Sequence, residues 1–518
     1  MPAPSRPFTR RAPVAAAALL VLSAAPNAVA QRPAPAAGRP DVPAFDAYVA
    51  QAVRRWEVPG LAISVVRGDS VLLAKGYGVR TMGREEPVDA HTRFAIGSTT
   101  KAMTALAILM AADSGAVRLD EPVLRYLPTL QLYDPVMTRE ITVRDLLTHH
   151  TGLPGADQLW TGGDLSTAEI IRRMRWLRPS ASFRNRYAYQ NVQYAMAGEV
   201  LRAATGVAWD DFLRRRLWEP LGMRETLATV AATEGAPNVA TPHDVIDDTL
   251  RAIANRPVDA VAPAGSVWSS VSDMARWMRF VLDSGRADGR RLVSERAFRD
   301  WLAPQVVVPV GDFYPTSALA GVQRVTYGLG WFLHSYAGED VAMHTGSIDG
   351  MSAIIGLIPG RRIGVYVLAN RDHAELRHAL MYRAFDLLLG RGPRDWSAEV
   401  QSLYAGLDAR SRQAQAAAAA SRVPGTSPSL ALDRYAGTYA DSLNGTVTVS
   451  LRDGALQLAW QRGFTGPLSH WHYDTFRVRW DDRRAGSGTV TFVLDAAGRP
   501  SEVRVNNATF GRSPGSSR

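Results

Sequence analysis

No cysteine occurs in the 518 residues. That excludes thiol catalysis, cysteine-ligated zinc and a lipid attached through an N-terminal cysteine. A chain of this length can bury enough surface to do without disulfides, so the absence does not contradict export. Lysine is nearly missing too: of 59 basic residues only Lys75 and Lys101 are lysine. Arginine stays charged in proteins, whereas a desolvated lysine can shed its proton near neutral pH and act as a base. A lysine kept against such a bias is a candidate for work arginine cannot do, which draws attention to Lys101. Metal-ligand spacing is equally scarce. His149 and His150 are adjacent and cannot share one helix face, and no His-Glu-x-x-His occurs. No cofactor is expected. No Gly-x-Ser-x-Gly elbow of an α/β-hydrolase is expected in the chain.

The composition is that of a globular protein, with 46% hydrophobic and 21% charged residues. Arg6, Arg10 and Arg11, the apolar run Val14 to Leu22 and the small residues Ala28-Val29-Ala30 predict a secretory signal over 1–30. The chain is therefore expected to be exported, to the periplasm or the medium. The apolar run is too short to span a bilayer and no later stretch approaches twenty apolar residues, so no transmembrane anchor is expected after cleavage. The formal charge is +10. Basic clusters such as Arg214-Arg215-Arg216 fall in helical patterns without interleaved aromatics, which predicts solvated helix faces, not a nucleic-acid surface. The partner expected is a small-molecule or peptide substrate. Oligomeric state is not legible.

From 40 to 395 the pattern mixes α and β. Phe45 to Trp56 reads as an amphipathic helix, and Leu61 to Arg67 with Val71 to Lys75 as a hairpin turning at Gly68-Asp69-Ser70. Helical stretches follow near 98–114, 142–148, 167–177, 191–204, 208–217 and 272–283. Strands return at Gly328 to Leu333, Val341 to His344, Ser352 to Ile358 and Ile363 to Leu368, before a helix near 374–389. The fold expected is α+β: an antiparallel sheet assembled from both ends, flanked by helices, with a helical insertion. Residues 396–431, rich in Ala, Ser, Arg and Pro, read as a linker. Over 432–518 the period changes to two, as in Val447, Val449 and Leu451, and about six short strands predict a small barrel or curled sheet.

Around Lys101 the sequence runs Gly97-Ser98-Thr99-Thr100-Lys101 and continues apolar to Ala112, which predicts a helix buried on most sides. Ser98 and Lys101, three apart, share one face of its first turn. A hydroxyl beside an amine held near neutral pKa is how serine becomes nucleophilic without histidine, and a helix N-terminus offers N–H groups to an oxyanion. Tyr189-Gln190-Asn191 precedes another apolar-periodic helix. A tyrosine near a cationic amine can have a lowered pKa and shuttle a proton, and Asn191 can fix the lysine or bind a substrate amide. Taken alone, this tripeptide is better read as a core aromatic with an Asn N-cap. His344-Thr345-Gly346-Ser347 lies on a predicted strand, where Gly346 would let a substrate backbone approach and Thr345 could donate to a carboxylate. Taken alone, His344 is better read as a satisfied structural histidine.

The order Ser-x-x-Lys, Tyr-x-Asn, His-Thr-Gly resembles the penicillin-recognising serine hydrolases: class C β-lactamases, D-alanyl-D-alanine carboxypeptidases, D-aminopeptidases and related esterases. Supporting stretches are Leu146-Leu147-Thr148-His149-His150-Thr151-Gly152-Leu153, Val271-Ser272-Asp273-Met274 and Tyr327-Gly328-Leu329-Gly330-Trp331. The resemblance covers roughly 40 to 390, and 432–510 is similar to the β-rich domains appended to some of these enzymes. It implies that Ser98 is acylated, that Lys101 and Tyr189 share general-base work, and that Asn191 contacts substrate. It also implies that His344, Thr345, Gly346 and Ser347 bind substrate, with the N–H groups of Ser98 and Ser347 forming the oxyanion hole. Two departures concern the substrate. His344 stands where class C β-lactamases usually carry lysine, which shifts weight from penicillins toward D-peptides and esters, and Gln190 replaces a small residue and could crowd the cleft. The rival from another class is a non-catalytic binding or sensor module whose barrel holds the ligand. It predicts loss of a catalytic residue, yet Ser98, Lys101 and Tyr189 are all present.

Overall fold

The structure, a computed structural model, describes residues 40–514. The signal-like segment over 1–30 lies outside the described residues.

Strands β1 (Gly60–Arg67) and β2 (Ser70–Gly78) form the expected hairpin. The chain then leaves this sheet and returns through β3 (Val306–Val308), β4 (Val325–Tyr327), β5 (Phe332–Tyr336), β6 (Glu339–Ile348), β7 (Met351–Ile358) and β8 (Ile363–Ala369). The sheet order is β2-β1-β8-β7-β6-β5-β4-β3, with every neighbour antiparallel. Leu61 pairs with Ala369 and Arg67 with Ile363, so the two ends of the domain are joined as the pattern predicts. β3 and β4 were not anticipated, because three residues are too few to display an alternation. The strand placed at Gly328 begins only at Phe332, since Gly328–Trp331 turns back on itself through a hydrogen bond between Gly328 N–H and the Trp331 carbonyl.

The helices that bear on the site are α1 (Val42–Arg55), α2 (Thr100–Asp113), α3 (Asn191–Thr205), α4 (Val271–Leu282), α5 (Leu376–Leu388) and α6 (Trp396–Ala420). Alternate residues of the central strands serve two cores. Leu61, Ile63, Val65, Val365 and Val367 pack with residues of α1 and α5, while Ala62, Val66, Tyr366 and Leu368 pack with α2 and α4. Burial on both faces makes these strands continuous apolar runs with little alternation. α2 is enclosed on every side, with Thr100 through Ala111 all buried, as expected of a helix without a polar face.

The segment read as a linker is largely helix. In α6, Trp396, Ser397 and Val400 are buried and Trp396 belongs to the core beneath α5, so the sheet domain extends past 395. Arg and Ala favour helix, and Ala416 to Ala420 continues α6 where a compositional reading sees only low complexity. Beyond it a closed barrel of eight strands runs from β9 (Gly437–Asp441) to β16 (Ala508–Arg512). About six were expected. β9 and β16 each turn a single buried side chain inward, Tyr439 and Phe510, too little for a period of two to show. The interior is packed with side chains including Tyr435, Phe476, Trp480 and Phe492. It is a core, which removes the support for a ligand-holding barrel. Among the described residues no helix is long and apolar enough to cross a membrane.

Candidate active site

Ser98 lies in a single 3-10 turn, Gly97–Thr99, that feeds directly into α2 and puts Lys101 in the first α-turn. The Lys101 side chain is wholly buried. Its ammonium donates to Ser98 Oγ at 3.0 Å, Asn191 Oδ1 at 2.7 Å and the Ala264 carbonyl at 2.8 Å. Two of these acceptors are carbonyl oxygens and cannot donate; the hydroxyl can do either. A neutral amine in this cage keeps its two N–H bonds on Asn191 and Ala264 and turns its lone pair to Ser98. Burial pushes the Lys101 pKa down from 10.5 to about 7, against the opposing pull of the Asp157 carboxylate. The other lysine has an ordinary fate: Lys75 is half-exposed and pairs with Asp46 at 2.8 Å.

Glycines allow the backbones to close around this turn. A Cβ on Gly346 would lie 1.9 Å from the Ile96 carbonyl oxygen, and one on Gly97, where φ is +52°, would lie 2.6 Å from Ser347 N. No side chain fits in either place. Gly346 thus clears room for the protein's own Ile96-Gly97 backbone, not for the substrate backbone expected there.

Asn191 is the first residue of α3, and Gln190 is the N-cap, its side chain accepting from Val192 N–H at 3.0 Å. Gln190 is fully buried, its amide NH2 donating to the Pro154 carbonyl and its backbone N–H to His149 Nδ1 at 3.1 Å. It caps a helix and does not crowd the cleft. Asn191 Nδ2 donates to Asp157 Oδ1 at 3.0 Å while its Oδ1 receives Lys101. The amide oxygen is spent on the lysine and one of the two Nδ2–H donors on Asp157, which leaves the other donor for a substrate. Tyr189 faces Ser98, and Lys101 Nζ lies 4.8 Å from its ring centre. Against the expectation of an acidified phenol, burial drives the Tyr189 pKa well above 10, and Ser98 opposes this only in part. The phenol is neutral and can pass a proton only as a hydroxyl.

The third motif runs past the end of its neighbour. β5 pairs with β6 up to Phe332–Met343, so His344 to Ile348 have β7 on one edge only. Thr345 Oγ1 and the Tyr314 hydroxyl are hydrogen-bonded. His344 is buried, with Nδ1 against the Thr345 carbonyl at 2.6 Å and Nε2 against the Tyr327 hydroxyl at 3.0 Å. Burial, aided by Lys101, lowers its pKa to about 3. A neutral ring with both nitrogens occupied has nothing to offer a substrate, so the substrate-binding role expected of His344 is corrected to support of the strand. Tyr327 and His149, from two of the supporting stretches, pack at 4.9 Å between ring centres, and His149 lies 4.2 Å from Tyr189. They form the aromatic wall behind the cleft.

The residues from Phe45 to Leu388 match the family model "Beta-lactamase". The chain belongs to the beta-lactamase family. Residues 421–513, which contain the barrel, match a domain of unknown function, DUF3471. A protein named unguisins hydrolase from Aspergillus violaceofuscus is 28% identical over 76% of this chain and 74% of its own length. Penicillin-binding protein 4 of Amycolatopsis lactamdurans is 29% identical over 60% of this chain and 81% of its own. The octameric penicillin-binding protein homologue from Pyrococcus abyssi superposes with a TM-score of 0.60 and 23% identity, covering 91% of this chain and 99% of that one. Its fold is therefore shared across both domains, and at family level the chain is a hydrolase.

Several residues of this site had no sequence signal. Ala264 acts through a carbonyl that any residue would supply. Asp157 lies 34 positions from Asn191; only a pairing rule for the folded chain could have joined them. The Gly-x-Ser-x-Gly pattern does occur once, at Gly511 to Gly515. Its Gly511 and Arg512 end the last barrel strand, Ser513 N–H bonds to the Thr438 carbonyl, and the pattern is remote in sequence from the Ser98 turn. The barrel instead borders the sheet domain near the cleft: Asn444 Oδ1 accepts from Gln158, next to Asp157, and Arg484 lies 3.5 Å from Asp349, two residues past Ser347.

Proposed function

We propose that this chain is an exported serine hydrolase that cleaves an amide or ester through an acyl-enzyme on Ser98. The observation that carries the reading is the amine cage: a buried lysine with pKa near 7, two N–H bonds held by oxygens that cannot donate, and its third contact on Ser98. An amine so placed takes the serine proton as Ser98 Oγ bonds to the carbonyl carbon. The Ser98 and Ser347 N–H groups receive the oxyanion. The bond to the leaving group then breaks as Tyr189 hands its hydroxyl proton to the leaving atom, and the Lys101 ammonium restores that proton. Water, deprotonated by the same amine, later releases the acid.

The charge of the cleft bears on the substrate class. With His344 neutral, position 344 carries no positive charge for a penicillin carboxylate, and the nearby Arg377 guanidinium is already paired with Glu375. That supports D-amino-acid peptides and carboxylic esters ahead of β-lactams. The arginine-then-apolar start of the chain supports export.

The test is intact-mass labelling of the mature protein with a fluorophosphonate and, separately, a labelled penicillin, with Ser98→Ala as control. One fluorophosphonate adduct on wild type and none on the variant is expected, with penicillin labelling slow or absent. Well-folded wild type that takes neither label would overturn the reading in favour of a binding module.

A further inference from the structure

The Gly346–Ser347 peptide is held from behind by a charge that the reaction scheme above does not use. Arg377, in α5, is 2% exposed. Its Nη1 donates to the Gly346 carbonyl at 2.6 Å, Ser347 Oγ at 2.9 Å and the Ala353 carbonyl at 3.2 Å. Its Nη2 and Nε face the Glu375 carboxylate at 3.1 and 3.4 Å. Burial alone would raise the Glu375 carboxyl, but Arg377 and His378 beside it hold it at about 2, so the pair is ionised. A buried ion pair of this kind is weak support for stability by itself. Its placement is the informative fact.

A peptide group is a rigid plane in which C=O and N–H point in opposite directions. Whatever holds the Gly346 oxygen therefore aims the Ser347 N–H. The plane starts at a glycine, where the backbone is least restricted. Here β6 is paired with β7 alone, Gly346 lying opposite Ala353, and Arg377 adds a side-chain anchor to that single pairing. A cation on the carbonyl oxygen also polarises the whole amide, making its N–H a stronger donor.

We propose that Arg377 is a positioning residue for hydrolysis: its guanidinium clamps the Gly346 carbonyl and so directs and strengthens the Ser347 N–H as an oxyanion donor. This inference rests on the acyl-enzyme reading of Ser98. Lysine cannot replace it, because three acceptors and a carboxylate require the planar fork of guanidinium.

The test compares wild type, Arg377→Lys and the double variant Arg377→Met with Glu375→Gln, which removes both buried charges together so that neither is left unpaired. Each is assayed for kcat and KM on a p-nitrophenyl ester and for inhibition by an arylboronic acid, whose tetrahedral serine adduct places an oxygen where the oxyanion forms. Losing one oxyanion donor outright lowers kcat about 100- to 1000-fold, so misaiming it should lower kcat about 10- to 100-fold. KM should stay within about threefold, and the boronate should weaken by the same factor as kcat. Should Arg377→Lys misfold, the double variant decides. A folded variant with unchanged kcat and boronate affinity overturns the inference, as does a kcat loss with boronate affinity intact. Wild type that neither turns over ester nor binds boronate brings down the serine-hydrolase reading and this inference with it, whereas active wild type and unaffected variants bring down this inference alone.

Discussion

Lys101→Met should make the stability of this protein depend differently on pH. Wild type buries a lysine whose pKa falls from 10.5 to about 7, a difference worth about 5 kcal/mol at about 1.4 kcal/mol per pH unit. Below pH 6 the folded and unfolded chains both hold the proton, and the full penalty of a buried ammonium is present. Between pH 7 and 10.5 the unfolded chain keeps a proton that the folded chain has released, so raising the pH stabilises wild type. Methionine has no such proton. The stability of wild type relative to Lys101→Met should therefore rise by about 2 kcal/mol from pH 7 to pH 9 and hardly change from pH 5 to 6. The absolute sign at pH 7 is a closer contest. Methionine removes the ammonium but leaves Asn191 Oδ1 and the Ala264 carbonyl without Lys101, at about 1–3 kcal/mol for each unsatisfied group. The pH slope is free of that term because an unsatisfied carbonyl oxygen costs the same at every pH in the range. Thermal unfolding of the two proteins at matched pH values reads the effect as a few degrees in the difference of their Tm values. A difference that stays constant from pH 7 to 9 would show that Lys101 remains charged when folded, and the amine could not then be the base.

Four further outcomes follow from the same geometry. The kcat/KM for an ester should climb tenfold per pH unit below pH 7 and level off above it, as Lys101 loses its proton; a profile flat through pH 7 would count against a lysine base. Lys101→Arg should fold yet lose about 100-fold or more of its turnover, since arginine cannot accept the serine proton, which a progress curve on the same ester reads directly. Asp157→Asn removes the carboxylate that holds the ammonium up, so the inflection of that profile should move to lower pH; movement to higher pH would reverse the assignment. Gly346→Ala drives a Cβ into the Ile96 carbonyl at 1.9 Å and should destabilise by about 1–3 kcal/mol, with turnover falling as Ser347 is displaced, read by urea unfolding and by the ester assay.

Much of the frame was legible because periodicity and punctuation report burial directly. The hairpin of β1 and β2, the apolar run of α2 and the late strands β6 to β8 are each long enough for a pattern to register. The three-residue strands β3 and β4 and the one-sided barrel strands β9 and β16 are not, and α6 was hidden behind a composition that suits both helix and linker. Motif order also named Ser98, Lys101, Tyr189 and Asn191, which the fold brings together. What it could not supply was charge. Tyr189 was expected to be acidified by a nearby amine and is instead held neutral by burial. His344 was expected at the substrate and is instead neutral and spent on Thr345 and Tyr327.

The division has one physical reason. Residue identity, local spacing and the near-absence of lysine are properties of the chain, and they determined which side chains could do chemistry and in what order they occur. Protonation state and orientation depend on what surrounds a group in three dimensions: the Ala264 carbonyl and Asn191 around Lys101, the Ile96 backbone against Gly346, and the Arg377 guanidinium behind the Gly346 carbonyl. Those neighbours come from distant parts of the chain, so only the tertiary structure decided them.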